Sequence, residues 1–190
     1  IIIFGATGKV GNYVLDYARE FYGGFFSNLS LSYNKYYSKI SNTSEMRDNW
    51  EGFNYSSTYN YNSGVEDFTL KNNYRYYLNG WNTFNFGVNY IYHHYTPEIT
   101  SFYSLQDLNY STPPYTVDHE KDAHELRLYA ENVMDFGEKL SLREGLHYNL
   151  YCVEGRTYSS LQPRLSLRYS ILKDLSFKAG YSLMNQNIHL

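Results

Sequence analysis

From Phe25 to Ile40 the side chains alternate in character: Phe25, Leu29, Leu31, Tyr33 and Tyr37 fall on one face of an extended strand, and Asn28, Ser30, Ser32 and Asn34 on the other. Side chains of a strand repeat every two residues, so this pattern demands a different environment on each face. Four hairpins of the chain read in the same way. A strand between lipid and water gives such a pattern, and so does a half-buried soluble sheet. Composition separates the two. Tyr accounts for 24 of the 190 residues and Asn for 19, far more Tyr than a packed core needs and of a kind favoured at membrane interfaces.

A chain of this length makes one or two globular domains or about eight strands of a membrane barrel. The net charge of −3 and pI near 6.1 leave no basic footprint, which excludes nucleic acid as a partner. Cys152 is the single cysteine, so no intrachain disulfide forms, and the residue reads as a small apolar filler on a strand. No apolar run reaches the roughly 18 residues of a membrane-spanning helix. Mean hydropathy is −0.56, which excludes a helical membrane protein but not a barrel, whose alternation halves the apparent hydrophobicity of each strand. The start at Ile1-Ile2-Ile3 has no basic n-region or small-residue cleavage site, so any signal peptide is expected to be already absent.

The pattern predicts eight strands. Asn12 to Phe21 carries Tyr13, Leu15, Tyr17 and Phe21 on one face and turns at Tyr22-Gly23-Gly24 into the strand described above. From Phe53 to Leu78 the aromatic face sits first at odd positions (Phe53, Tyr55, Tyr59, Tyr61), then at even ones (Phe68, Leu70, Tyr74, Tyr76). The change falls at Ser63-Gly64. A bulge in one long strand or a hairpin there explains it, and the bulge is preferred because Gly tolerates the backbone angles involved. Trp81 to Tyr95 opposes Phe84, Phe86, Val88, Tyr90 and Tyr92 to Thr83, Asn85, Gly87 and Asn89. Ala123 to Met134 opposes Leu126, Leu128 and Ala130 to Glu125, Arg127, Tyr129 and Glu131. Leu140, Leu142, Leu146, Tyr148 and Leu150 face away from Arg143, His147 and Asn149, and the last hairpin sets Leu165, Leu167, Tyr169, Ile171, Leu175, Phe177, Ala179 and Tyr181 against Arg164, Arg168 and Lys178. Charges confined to one side need water or partners there, which makes that side a lumen. Tight turns at Tyr22–Gly24, Leu78–Gly80, Asp135–Lys139 and Leu172–Asp174 are expected at one rim. The long segments Ser41–Gly52, Thr96–Asp122 and Val153–Ser159 are expected at the other, as in outer-membrane barrels.

These residues carry a family resemblance. The segments Phe26-Ser27-Asn28-Leu29-Ser30-Leu31-Ser32-Tyr33, Ser63-Gly64-Val65-Glu66-Asp67-Phe68, Phe86-Gly87-Val88-Asn89-Tyr90, Leu128-Tyr129-Ala130-Glu131, Gln162-Pro163-Arg164-Leu165-Ser166-Leu167-Arg168-Tyr169 and Lys178-Ala179-Gly180-Tyr181-Ser182-Leu183-Met184-Asn185-Gln186 resemble the barrel of a TonB-dependent outer-membrane receptor. The subgroup most resembled carries a carboxypeptidase-regulatory-like domain ahead of the plug. The resemblance implies an all-β antiparallel transmembrane barrel segment within a barrel of 22 strands, located in the outer membrane of a Gram-negative bacterium. It implies a transporter, not an enzyme, that imports a scarce nutrient such as a metal chelate, vitamin or oligosaccharide. Its partners would be outer-membrane lipid, the TonB complex acting through a plug, a small nutrient ligand and a surface lipoprotein. No plug or TonB box stands in these residues, and the chain closes on His189-Leu190 where such barrels end on an aromatic. A fragment comprising part of the barrel, residues 12–190, is therefore expected. No catalytic, cofactor-binding, metal-binding or substrate-binding residue carries over.

A second resemblance lies at the start. Ile1-Ile2-Ile3-Phe4-Gly5-Ala6-Thr7-Gly8-Lys9-Val10-Gly11, followed by Tyr13, Val14, Leu15 and Tyr17, resembles the first strand, glycine loop and helix of the atypical short-chain dehydrogenases that bind NAD(P). A doubly wound fold needs further buried parallel strands, which the alternating segments do not supply. Residues 1–11 are therefore expected to be an irregular lead-in before the first barrel strand, with no cofactor. A complete small eight-stranded barrel with an adhesion or structural role is a third reading. Among weaker constellations, His93, His94, His119 and His124 are candidate metal ligands at the outer rim, although adjacent histidines on a strand face opposite sides. Glu125, Arg127, Glu131, Arg143, Arg164 and Arg168 are a candidate substrate path, or a set of charges satisfying one another across strands. Pro113-Pro114 with Tyr110 and Tyr115 reads as a recognition loop or as a stiff connection.

Overall fold

The computed structural model describes residues 2–47, 54–105, 110–111 and 115–185. Its elements are all strands: β1 (Ile2–Phe21), β2 (Phe25–Arg47), β3 (Asn54–Asn79), β4 (Asn82–Leu105), β5 (Tyr110–Ser111), β6 (Tyr115–Asp118), β7 (Lys121–Phe136), β8 (Leu140–Val153), β9 (Arg156–Leu172) and β10 (Leu175–Ser182). Eight of them form one antiparallel sheet in the order β1-β2-β3-β4-β7-β8-β9-β10, and the short β5 and β6 both pair with β4. Each long strand thus lies beside its neighbour in sequence, as short connections dictate.

Register keeps the two faces distinct. Between β7 and β8, Leu126 stands opposite Leu150, Leu128 opposite Tyr148 and Ala130 opposite Leu146, whereas Arg127 meets Asn149 and Tyr129 meets His147. Between β8 and β9, Leu142 stands opposite Leu167 and Leu140 opposite Tyr169. Between β9 and β10, Leu167 meets Ala179 and Leu165 meets Tyr181. The expected opposition of apolar and polar faces is present. Polar residues interrupt the apolar side in places: Asn132 stands opposite exposed Glu144, and Ser27 donates to Asn72.

The strands divide into two compact units. One contains residues 1–13, 33–67 and 93–122, and the other residues 14–32, 68–92 and 123–190. In the second unit the apolar face meets no other layer. Phe68 is 50% exposed, Leu146 47% and Leu165 48%, with Leu31, Leu70, Phe86, Leu128 and Ile171 likewise open. Aromatic clusters mark this face near the turns: Phe25 stacks on Tyr74 at 5.6 Å, Tyr74 on Phe86 at 5.1 Å and Trp81 on Phe136 at 5.3 Å. Among the described apolar residues only Ile91, Ala123 and Tyr151 are fully buried. A sheet with so small a core does not stabilise itself by burying apolar area in a protein interior.

Several expectations need correction. Residues 2–11 are no irregular lead-in, because β1 runs unbroken from Ile2 to Phe21. Gly5, Gly8 and Gly11 sit inside that strand with negative or extended φ, and no helix follows, so the phosphate cradle of a dinucleotide site is not built. Val153–Ser159 is no long loop either. Val153 and Arg156 pair across a two-residue turn in which Glu154 and Gly155 take φ of 48° and 74°, the geometry that suits hairpin twist. β2 and β4 likewise continue into segments expected to be loops, 41–47 and 96–105. The stretch 54–79 is a single strand rather than a hairpin. The four expected tight turns are present, between β1 and β2, β3 and β4, β7 and β8, and β9 and β10. Phe53, Asp107 and Pro113-Pro114 lie outside the described residues.

Candidate functional site

The polar face of the unit containing residues 123–190 carries the densest set of interacting groups, and strand periodicity puts it there. Glu125, Arg127, Tyr129 and Glu131 are spaced by two on β7 and so project to one side. Arg127 Nη2 donates to Glu125 Oε2 at 2.7 Å, and Glu125 is buried to 1% exposure. Burial of a carboxylate is tolerated only with such a partner. The Tyr129 hydroxyl donates to Asn73 Oδ1 at 2.9 Å, and its ring stacks on His147 at 5.4 Å. His147 Nε2 lies 3.1 Å from Glu131 Oε1, and Arg75 Nε donates to Asn85 Oδ1 at 3.0 Å. Gly87 makes room for this arrangement. A β-carbon there would come within 2.7 Å of the Tyr129 ring and of the Asn72 carbonyl oxygen.

Two cavities open among these groups. One of about 620 Å³ is bordered by Arg19, Glu20, Asn28, Asn73, Arg75 and Tyr129. The other, of about 350 Å³, is bordered by Glu131, Arg143, Gly145, Arg164, Ser166 and Gly180 among others. The expected mutual satisfaction of charges is therefore partial: Glu125 with Arg127 and Glu131 with His147 are paired, while Arg143, Arg164 and Arg168 have no carboxylate among the described residues.

The other unit carries a second group of ionic contacts. The Tyr33 hydroxyl donates to Glu66 Oε2 at 2.7 Å and Lys35 Nζ donates to Glu66 Oε1. The hydrogen bond from Lys35, then that from Tyr33, holds the Glu66 carboxyl below its ordinary range. His94 Nδ1 lies 2.8 Å from Asp122 Oδ1, and that hydrogen bond raises the imidazole above its ordinary value. His93 Nδ1 lies 2.7 Å from Asp67 Oδ1, and its ring stacks on Tyr95 at 5.7 Å.

The candidate histidines His93, His94 and His124 each have a partner of their own. His93 and His94 answer to carboxylates on different strands, β3 and at the start of β7. His124 Nδ1 is within 2.7 Å of the Tyr90 hydroxyl in the other unit. Among the described residues no group of three or more His, Cys, Asp or Glu side chains is placed to hold a metal ion. Sequence reasoning overlooked Asp67 and Glu66 as hubs. Their signal was a carboxylate pair just past the Gly64 irregularity, at the level where neighbouring strands place Lys35 and His93.

No protein-family model matches the sequence, and no curated protein matches it. Solved structures do. The RagAB peptide importer in its open-open state superposes with a TM-score of 0.66 at 10% identity, over 95% of this chain and 22% of that one. BauA, the ferric preacinetobactin receptor from Acinetobacter baumannii, gives 0.65 at 11% identity, over 93% and 30%. The FpvAI–pyocin S2 complex gives 0.54 at 11%, over 94% and 36%. The chain shares the fold of these receptor barrels and spans between about a fifth and a third of their length. At such identity the likeness is one of fold.

Proposed function

We propose that this chain is a wall segment of a TonB-dependent outer-membrane receptor, eight strands of a barrel of 22, in a Gram-negative bacterium. The observation that carries the reading is the exposed apolar face of residues 14–32, 68–92 and 123–182, backed on the same strands by a face of ion pairs and amides. Water on both sides would leave that apolar face without a reason, whereas lipid on one side and a wet lumen on the other satisfies both. The fold shared with a peptide importer and a ferric siderophore receptor supports transport rather than catalysis. In this reading the protein takes up a scarce nutrient, a peptide, metal chelate, vitamin or oligosaccharide. Energy comes from the TonB complex through a plug, with outer-membrane lipid around the wall and a surface lipoprotein as the companion on the outside. Residues 12–190, together with the β1 extension, are barrel wall, and the plug and outer loops supply most of the contacts to the nutrient.

The test uses the intact protein in cells. Radiolabelled short peptides and ferric siderophores are supplied to strains carrying or lacking the protein, each with and without TonB. Accumulation of at least one probe only when both are present is expected. Uptake that persists without TonB, or recovery of the protein in the soluble fraction, overturns the reading.

A further inference from the structure

The second cavity, on the polar face of β8, β9 and β10, is built from small residues and cations. Arg143 and Arg164 border it, Ser166 and Ser182 line it, and Gly145 and Gly180 leave its floor without side chains. Arg164 stands opposite Gly145 on one neighbour, over which the Glu131 side chain leans, and opposite Ser182 on the other. Its Nε is buried and has no hydrogen-bond partner. A buried, unmatched guanidinium N–H is costly and calls for an acceptor.

Two further cations extend the cluster along the same face. Lys178 and Arg168 stand directly opposite each other on β10 and β9, a like-charge pairing that destabilises a sheet. Arg168 also stands opposite Ser141 on β8, and Arg143 opposite Ser166 on β9. None of Arg143, Arg164, Arg168 and Lys178 makes an ion pair among the described residues. The one carboxylate at the cavity, Glu131, is already engaged by His147 at 3.1 Å. Three adjacent strands thus hold four cations on one face, next to a cavity of about 350 Å³, a size that takes a small organic ligand.

We infer that this basin is a binding site for small solutes bearing a carboxylate or phosphate group, with Arg143 and Arg164 as its direct ligands and Arg168 and Lys178 supplying attraction from the turn-ward side. Guanidinium groups match both oxyanions bidentately, and the serine hydroxyls provide neutral donors beside them. The inference rests on the proposed lumen, since it assigns the transported solute, or a group it carries, to the anionic class.

The intact protein in detergent is titrated calorimetrically with succinate and with inorganic phosphate, with glucose as the neutral control. Saturable binding of at least one anion, weakened by added salt and absent for glucose, is expected. Arg143→Gln with Arg164→Gln should raise Kd about tenfold or more, the consequence of losing a charge-assisted hydrogen bond. Arg143→Lys with Arg164→Lys should retain part of the affinity. Heat-modified gel migration verifies that each variant is folded. If a carboxylate of the same polypeptide fills the basin, the unmodified protein binds neither anion, and the inference is overturned. Equal binding in the Gln variant overturns it as well. Thiol labelling of Ser166→Cys and Leu165→Cys scores the lumen separately: a water-soluble reagent should reach Cys only at 166, and the reverse result removes the lumen while leaving any measured anion binding intact.

Discussion

Gly64 is buried in β3, and a β-carbon there would press on the Thr96 hydroxyl of the neighbouring strand. Its φ is not in the left-handed region, so the glycine answers to crowding by the Thr96 side chain rather than to a turn. Alternation shows that parity changes at Ser63-Gly64, but crowding by a residue 32 positions away in the chain is invisible to it. Gly64→Ala should lower stability by about 1 to 3 kcal/mol, the usual cost of overpacking. Adding Thr96→Ala should restore most of the loss, because the new β-carbon would then face the Cβ of residue 96 at 3.6 Å and its carbonyl oxygen at 3.8 Å, both ordinary contacts. Urea unfolding of the detergent-solubilised intact protein measures both. Equal stability of the single and double variants would place the strain elsewhere.

Each strand's two faces make separate demands, and a point change discriminates between them. Leu31 and Phe86 are exposed on the apolar face, at 44% and 38%, while Asn34 and Asn89 take the other parity on β2 and β4. An arginine on a lipid face near the midplane costs about 2 to 4 kcal/mol, whereas a wet lumen accepts one. Leu31→Arg and Phe86→Arg should therefore reduce the amount of protein recovered in outer-membrane fractions, and Asn34→Arg and Asn89→Arg should not. Indistinguishable behaviour of the two pairs would mean that the faces are misassigned. Strand number, order and facing were legible because a period of two is a local property that each segment displays unaided. The ends of the strands were not. The polar stretch Ser41–Arg47 carries no apolar alternation and Thr96–Leu105 only a broken one, yet both are strand, the latter pairing with β5 and β6. Ile1–Gly11 misled for the opposite reason. Glycines spaced as in a phosphate loop look alike whether they bend the chain or merely leave a strand face open, and β1 does the latter. The ionic groupings were legible as charges on one face but not as pairs, since Glu66 with Lys35 and Asp67 with His93 depend on the stagger between strands.

Connections at the two ends of the strands differ. Residues 22–24, 80–81, 137–139 and 173–174 turn the chain in two or three residues, whereas six residues separate β2 from β3 and fifteen, including β5 and β6, separate β4 from β7. The hairpin at Glu154-Gly155 shows that the second end is not uniformly long, so the asymmetry rests on the β2–β3 and β4–β7 connections. A strand tilted across a bilayer needs about nine to eleven residues. β3 and β4 have 26 and 24, and their exposed apolar side chains cluster toward the tight turns, from Phe68 to Leu78 and from Trp81 to Tyr90. The residues of β3 before Phe68 and of β4 after Tyr92 belong to the other unit, in which Glu66, Lys35, His94 and Asp122 form their contacts. Barrels of the outer membrane keep short turns in the periplasm and long loops outside the cell. With Cys152→Ser as background, cysteines at Asp107 or His119 should react with a membrane-impermeant thiol reagent on intact cells. Cysteines at Asn79 or Lys173 should react only after the outer membrane is opened. Labelling at Asn79 without labelling at Asp107 and His119 would turn the wall upside down, and equal labelling of all four on intact cells would remove the membrane from the account altogether, leaving the exposed face of Leu31, Phe86 and Leu165 in need of a different cover.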